Sequence, residues 1–185
     1  MNFLAHFYFC HETPEHIAGS LLGDFVKGND WQNYSQNVQT AILLHRRIDS
    51  LTDKHPIVLA SRQRFTPATR RYAGIILDMY FDHFLACDWE HYHSDSLKIF
   101  SSRMYQGLQQ QKHIMPERAI QTVNHMHEHN WLESYQTLDG LTRAMTGLSR
   151  RLKRANPLME SVSYLEANYK DFKQDFTQFL LDFKP

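Results

Sequence analysis

Two acids and a histidine interrupt one of the most apolar segments of the chain, residues 75–85. Asp78 and Asp82 are the only acids in this segment, and His83 follows Asp82 directly. On a helix, the i, i+4 spacing places both carboxylates on one face, about one turn apart. Burying two carboxylates near each other is costly unless a cation lies between them. The segment therefore indicates a metal site built on a helix.

Further acids and histidines follow this pattern in two other apolar segments. His45 and Asp49 are again spaced i, i+4 within residues 43–53, and Asp24 lies within the largely apolar residues 20–26. Carboxylate oxygens mixed with imidazole nitrogens suit Mn²⁺, Mg²⁺, Fe²⁺ or Zn²⁺, and the excess of oxygen favours Mn²⁺ or Mg²⁺. We predict that ligands from three helices converge on one divalent cation.

Each candidate also has a structural interpretation that the sequence leaves open. Asp82 could form a salt bridge with Arg46 or Arg47, and Asp24 could lie on the surface at a helix end. Three histidines could be hydrogen-bonded residues of the core: His6, His45 and His83. His6 is equally compatible with a place in the site, because it lies in the apolar opening segment.

A third group of histidines occurs in the run His125-Met126-His127-Glu128-His129. It lacks the HExxH order that places two histidines and a general base on a zinc ion. Its surroundings are not apolar enough to require burial, so we predict a solvated helix face. The sequence also contains no glycine-rich phosphate loop and no GxSxG motif, which argues against P-loop and α/β-hydrolase enzymes.

Apolar residues recur with a period of about 3.6 along the whole chain, which predicts helices. We expect them over approximately these ranges: 14–27, 36–53, a short helix from 56, 69–89, 95–111, 116–129, 138–153 and 157–183. The aromatic residues of the last helix are assigned to core packing. No segment alternates with a period of two, so no sheet is expected. We predict an all-α fold, a single compact helical bundle that forms one domain over residues 1–185.

The composition limits the possible partners. Lys plus Arg and Asp plus Glu both number 20, so the net charge at pH 7 is about zero. The chain has no net positive charge, and its basic clusters lack interleaved aromatic residues. We therefore expect no binding to nucleic acid. No apolar run has the ~20 residues needed to span a bilayer, and no basic segment precedes an apolar one at the N-terminus. Two cysteines without a motif, Cys10 and Cys87, fit a reducing cytoplasm.

Five stretches of the chain occur in the order found in one known family: 2–6 (NFLAH), 21–28 (LLGDFVKG), 45–53 (HRRIDSLTD), 77–85 (LD with DHFL) and 149–151 (SRR). Together they resemble the acyl carrier protein phosphodiesterases, also called holo-ACP hydrolases. The resemblance implies a divergent, HD-domain-like relative of the all-helical, metal-dependent HD phosphohydrolases. The sequence departs from the HD signature, because Asp82-His83 has the reverse order and no His-Asp dipeptide occurs.

The resemblance also implies a chemical role for the candidate residues. The expected activity depends on Mn²⁺, with Mg²⁺ or Fe²⁺ as alternatives. The expected location of the protein is the cytoplasm. Its substrate would be holo-acyl carrier protein, with apo-ACP and 4′-phosphopantetheine as products. On this hypothesis the metal ligands are Asp24, His45, Asp82 and His83. The residues expected to assist catalysis, by orienting water or contacting phosphate, are Asp49, Asp78, Arg46 and Arg47.

Docking of an acidic carrier protein requires a local basic patch. The densest basic cluster comprises Arg150, Arg151, Lys153 and Arg154. A second cluster comprises Arg62, Arg64, Arg70 and Arg71. Two alternatives to this function remain open at the level of sequence. One is an HD-like phosphohydrolase for nucleotides or other small phosphodiesters, and the other is a helical module that binds an acidic partner without metal or catalysis.

Overall fold

A computed structural model of the protein describes residues 1–152 and 154–185. Within these ranges the chain forms twelve α-helices and no β-strand, which confirms the all-α prediction. The helices are α1 (Phe3–Tyr8), α2 (Pro14–Leu22), α3 (Gln36–Lys54), α4 (Pro56–Gln63), α5 (Pro67–Arg70), α6 (Ala73–Cys87), α7 (Leu97–Gln110), α8 (Glu117–Glu128), α9 (Trp131–Ser134), α10 (Leu138–Arg151), α11 (Ser161–Ala167) and α12 (Tyr169–Asp182). None of these described helices is long and apolar enough to cross a membrane. The interpretation of the chain as one domain stays a prediction.

Most predicted helices occur within about two residues of their expected ends, and the differences have local causes. Helix α2 ends at Leu22 instead of continuing to residue 27, so Asp24 lies in the turn that follows it. The predicted C-terminal helix divides at Asn168, whose φ of −123° and ψ of 22° are not helical. The Asn168 side-chain amide donates to the Tyr164 carbonyl oxygen at 2.9 Å, which satisfies a carbonyl at the end of α11.

Helix α6 passes through the centre of the molecule and packs against α12. Aromatic rings meet between the two helices: Phe81 lies 5.1 Å from Phe179, and Phe84 lies 5.7 Å from Phe176, between ring centroids. All four side chains are at most 2% exposed. This packing confirms that the aromatic residues of the C-terminal segment form core, as predicted.

The short helix α1 is anchored by a carboxylate from α6. Asp82 is fully buried and accepts hydrogen bonds from the backbone N–H groups of Asn2 (3.3 Å), Leu4 (2.8 Å) and Ala5 (3.2 Å). The first N–H groups of a helix have no partner within it, and an anion near them is favourable. Six residues are too few to form a stable helix alone. The hydrogen bonds to Asp82 therefore stabilise α1, and α1 in turn places His6 in the interior.

Close packing of α2 on α3 brings α3 into the region occupied by His6 of α1. A Cβ added at Gly19 of α2 would lie 2.6 Å from the Cβ of Ala41, so only glycine permits this approach. The contact places the second half of α3, which carries His45 and Asp49, against the end of α2. Three helix segments remote in sequence therefore meet at one point.

Candidate metal centre

Two histidines and an acid from α1 and α3 form a tight cluster. His6 Nε2 lies 3.0 Å from Asp49 Oδ1, and His45 Nε2 lies 3.3 Å from Asp49 Oδ2. The two imidazole rings stack with centroids 3.7 Å apart and planes inclined by 9°. Their potential ligand atoms all lie within 4.8 Å of one another. The histidines are buried, whereas the Asp49 side chain is 43% exposed, so the cluster opens to solvent on the carboxylate side.

Two further carboxylates lie next to this cluster. Asp24 Oδ1 is 3.5 Å from His45 Nε2. Asp78 Oδ1 is 2.8 Å from the Met1 amino nitrogen, which lies 3.7 Å from Asp49 Oδ1. Two acids, Asp24 and Asp49, therefore face the buried imidazoles, and Asp78 is linked to them through the Met1 amino group. We call His6, His45, Asp49 and Asp24 the metal centre, as the candidate site for an ion.

The hydrogen bond at the back of His45 fixes which nitrogen faces the acids. His45 Nδ1 lies 2.7 Å from the Ser20 carbonyl oxygen, which can only accept, so Nδ1 carries the proton. His45 Nε2 then points at carboxylate oxygens of Asp24 and Asp49. A bare nitrogen lone pair facing two anions is unfavourable, so this position requires either a second proton or a cation. Orientation of a ligand histidine by a backbone carbonyl is common at metal sites.

His6 also faces acceptor oxygens. His6 Nε2 lies 3.1 Å from the Met1 carbonyl oxygen in addition to Asp49 Oδ1, and both of these oxygens accept, so a neutral His6 carries its proton on Nε2 in the protein alone. The other ring nitrogen, His6 Nδ1, is buried without a hydrogen-bond partner in the part of the chain described. Two imidazoles and a carboxylate this close together are a donor set that fits a divalent transition-metal ion.

In the protein alone, the charges of this centre are strongly perturbed. Burial opposes a charge on His45, but Asp24 and Asp49 outweigh it and raise the pKa of His45 to about 9. Burial also acts to raise the pKa of Asp49, but hydrogen bonds from His45 and His6 hold it well below its usual value. Burial lowers the pKa of His6 to about 4, so the second imidazole stays neutral. In the protein alone, a protonated His45 therefore supplies the positive charge between Asp24 and Asp49.

Gly23 makes room for the His45 ring. A Cβ added at Gly23 would overlap the His45 ring and its Cβ, so any larger residue would displace the imidazole. Gly23 directly follows the last residue of α2 and has a helical φ of −50°, so its role is space and not backbone freedom. The glycine and the histidine therefore fit together as one feature of the metal centre.

Comparison with known proteins assigns this chain to a family. A family model described as "Acyl carrier protein phosphodiesterase" matches residues 1–183. The chain belongs to this family. Curated relatives with that name are 35% identical over 180 residues in Enterobacter sp. (strain 638), Photorhabdus laumondii and Escherichia coli O6:H1, and the match spans 97% of this chain and 93%, 91% and 93% of theirs, respectively. No solved structure matches, so the HD-like relationship stays a prediction.

In this member of the acyl carrier protein phosphodiesterase family, the metal centre differs from the predicted ligand set. Asp24 and His45 lie together as expected, but Asp82 does not join them. Its carboxylate is occupied by three backbone N–H groups, and it pairs with neither Arg46 nor Arg47. The candidate group that the structure brings together instead contains His6 and Asp49, of which Asp49 was expected only to assist.

His83 is likewise a structural residue. Its Nδ1 lies 2.7 Å from the Tyr135 carbonyl oxygen, and its Nε2 lies 3.0 Å from the Tyr169 hydroxyl. Consecutive residues of a helix point about 100° apart, so Asp82 faces α1 while His83 faces α9 and α12. Both ring nitrogens have partners away from the metal centre, which corrects the prediction that His83 is a ligand.

The two arginines after His45 do not point at the centre. Arg46 donates to the carbonyl oxygens of Gly28 (3.0 Å) and Val26 (2.8 Å), so it stabilises the loop after α2. Arg47 is exposed and lies two residues, about 200°, around α3 from His45. The expectation that these guanidinium groups contact phosphate stays a prediction, and for Arg46 it would require these two hydrogen bonds to be given up.

The basic clusters differ in their availability to a partner. Arg150, Arg151 and Arg154 are exposed at and after the end of α10, and Lys153 lies outside the described residues. In the second cluster, Arg62 pairs with Asp53, and Arg64 pairs with Asp175 at 2.8 Å. Internal ion pairs thus occupy half of the second cluster.

The histidine run on α8 is exposed, as predicted. His125 Nδ1 and His129 Nε2 each lie 3.9 Å from Glu128 Oε2, and all three side chains are at least 60% exposed. The three residues have atoms close enough to hold an ion. Water can nevertheless satisfy each of them, so their arrangement requires no cation.

Proposed function

We propose that this protein hydrolyses the phosphodiester between 4′-phosphopantetheine and the serine of holo-acyl carrier protein, and that a divalent cation at the metal centre is required. Its family membership over residues 1–183 supports the substrate. The observation that carries the metal requirement is the convergence of carboxylate oxygens on the ring nitrogens of His6 and His45.

The residues of the centre have separate roles in this proposal. His6, His45, Asp49 and Asp24 would hold the cation. A cation bound there would lower the pKa of a water molecule and neutralise charge on the phosphoryl oxygens. Asp78 is our candidate for the carboxylate that orients the attacking water, because it lies beside the ligand group and its side chain is 37% exposed.

The proposed reaction balances with one water molecule. The bond between phosphorus and the serine oxygen breaks, and a bond between phosphorus and the water oxygen forms. The water gives up a proton, for which we propose Asp78 as the acceptor, and the serine oxygen takes up a proton. The products are apo-acyl carrier protein and 4′-phosphopantetheine.

We propose Mn²⁺ as the cation, with Mg²⁺ or Fe²⁺ as alternatives. The set of two imidazoles and two carboxylates mixes nitrogen and oxygen donors, which suits Mn²⁺ and Fe²⁺ better than Mg²⁺. We also propose a cytoplasmic location, because acyl carrier protein is the substrate and because Cys10 and Cys87 are both free thiols.

Mass spectrometry of the carrier protein tests the proposal. Holo-acyl carrier protein incubated with the protein and Mn²⁺ should lose the mass of one 4′-phosphopantetheine group. Chelation of the metal should stop the reaction, and renewed Mn²⁺ should restore it. Cyclic nucleotides offered under the same conditions should stay intact.

Two results would contradict the proposal. Unchanged carrier protein after prolonged incubation with Mn²⁺, Mg²⁺ and Fe²⁺ in turn would remove the substrate assignment. Equal turnover by the metal-free protein, with the metal content checked by elemental analysis, would remove the role of the cation.

A further inference from the structure

A groove of about 800 Å³ lies next to the metal centre, between the start of α1, the end of α8 with α9, and α10. Apolar side chains form much of its lining: Phe3, Met79, Trp131, Tyr135, Ala144 and Leu148. Polar side chains also line it, among them Asn2, Ser134, His125 and His129. Small-molecule sites of proteins typically have volumes of roughly 300–1,000 Å³ and such a mainly apolar lining.

The inner end of the groove lies one residue from groups beside the metal centre. Asn2 Nδ2 donates to the Tyr135 hydroxyl at 3.1 Å and contacts Met79 Sδ at 3.0 Å. The residue before Asn2 is Met1, whose carbonyl oxygen lies 3.1 Å from His6 Nε2. The residue before Met79 is Asp78, which pairs with the Met1 amino group. Asn2 and Met79 line the groove, whereas the residues of the metal centre do not, so Met1 and Asn2 lie between the two.

Three arginines of α10 line the groove: Arg143, Arg150 and Arg151. All three are exposed, and none forms a salt bridge within residues 1–152 and 154–185. The Arg151 guanidinium carbon lies 5.9 Å from the centroid of the Trp131 ring. Unpaired cations at an apolar groove match a ligand that is itself mostly apolar but is attached to an acidic surface.

We propose that this groove binds the pantetheine arm of the carrier protein, with the phosphate end at the metal centre and the thiol end among the apolar side chains. The proposal rests on the function proposed above. The arm is an extended chain with two amides, a geminal dimethyl group and a neutral thiol, so it needs an apolar channel with few polar groups. The three arginines would contact the acidic surface of the carrier protein.

Titration calorimetry with D-pantetheine, which has no phosphate and no protein, tests the groove apart from catalysis. Gly147 lines the groove, and a Cβ added there meets nothing within 4 Å, so Gly147→Phe would fill the groove and Gly147→Ala would not. We expect Gly147→Phe to weaken pantetheine binding at least about tenfold and to raise KM for holo-acyl carrier protein. Glu166→Ala, an exposed change on α11 outside the groove, should change both by less than about twofold.

A second pair of measurements separates the arm from the carrier protein. Arg143→Glu with Arg150→Glu should raise KM for holo-acyl carrier protein about tenfold while pantetheine affinity stays within about twofold. Thr142→Trp, at another groove position of α10, replaces Gly147→Phe if that variant fails to fold by circular dichroism. Pantetheine that does not bind, or binds equally to the filled and wild-type proteins, would overturn the proposal even if holo-acyl carrier protein is cleaved. Loss of cleavage with intact pantetheine binding would instead contradict the proposed function alone.

Discussion

The metal centre and the exposed run His125–His129 contain the same types of side chain, yet their surroundings differ. His6 and His45 are 2% exposed and come from two helices. His125 and His129 are 60% exposed and belong to a single helical turn and its cap. Water can solvate the second group, whereas the first must satisfy its charges internally. The difference shows that burial and converging acceptors, more than residue types, distinguish a site that needs a positive charge, from a second proton or from a cation.

The largest effect is expected when the shared carboxylate of the metal centre is removed. Asp49→Asn removes the negative charge between His6 and His45, so we expect Mn²⁺ affinity to fall. Turnover of holo-acyl carrier protein should fall by about 10²–10³-fold. Glu128→Gln makes the matched change in the exposed group and should leave both quantities within about twofold. Equal losses in both variants would place the functional cation elsewhere.

The next effect concerns the space for His45. Gly23→Ala would push the imidazole out of place, and a displacement of about 1 Å can cost about 10²-fold in rate. We expect that loss in kcat/KM together with a cost in folding stability of about 1–3 kcal/mol, because the added Cβ overpacks a buried ring. Glu166→Ala, an exposed change on α11, is the control. Full activity of Gly23→Ala would show that the ring position is not critical.

A smaller effect, on stability, should follow loss of the carboxylate that anchors α1. Asp82→Ala leaves three backbone N–H groups, two of them buried, without an acceptor, which should lower the free energy of unfolding by about 2 kcal/mol. Urea denaturation of the metal-free protein measures this value. Glu166→Ala, an exposed change on α11, should cost less than about 0.5 kcal/mol. A stability unchanged in Asp82→Ala would contradict the anchoring role.

The smallest effect is a dependence of stability on pH that arises from His83. Burial lowers the pKa of His83 below its ordinary 6.5, so the folded state binds fewer protons than the unfolded state just below pH 6.5. Stability should therefore fall as the pH drops from 7 towards 5, by at most about 1.4 kcal/mol per pH unit from this group. His83→Gln should reduce the slope, whereas His125→Gln, on the solvent-exposed run, should not. Identical slopes for His83→Gln and the wild type would exclude His83 as the source.

The sequence was sufficient to predict the helical fold and the approximate position of the site. Periodicity located α3, α7, α8 and α10, because each buries one face over several turns. It missed α1, whose six residues are helical only through a contact with α6. Asp82 is predicted to be a ligand because a buried acid needs a partner. The sequence alone does not show whether that partner is a metal ion or a helix N-terminus. The i, i+4 spacing identified His45 and Asp49. His6, the third residue of the cluster, was equally compatible with the core and with the site.

The anchoring of α1 on Asp82 has a consequence for hydrogen exchange. Amides at the ends of a chain usually exchange rapidly, because terminal segments fray. Here the amides of Leu4 and Ala5 are buried against a carboxylate 78 and 77 positions further along. They can exchange with deuterium only when α1 separates from α6, so the first residues of the protein should be among its slowly exchanging sites and should report opening of its centre.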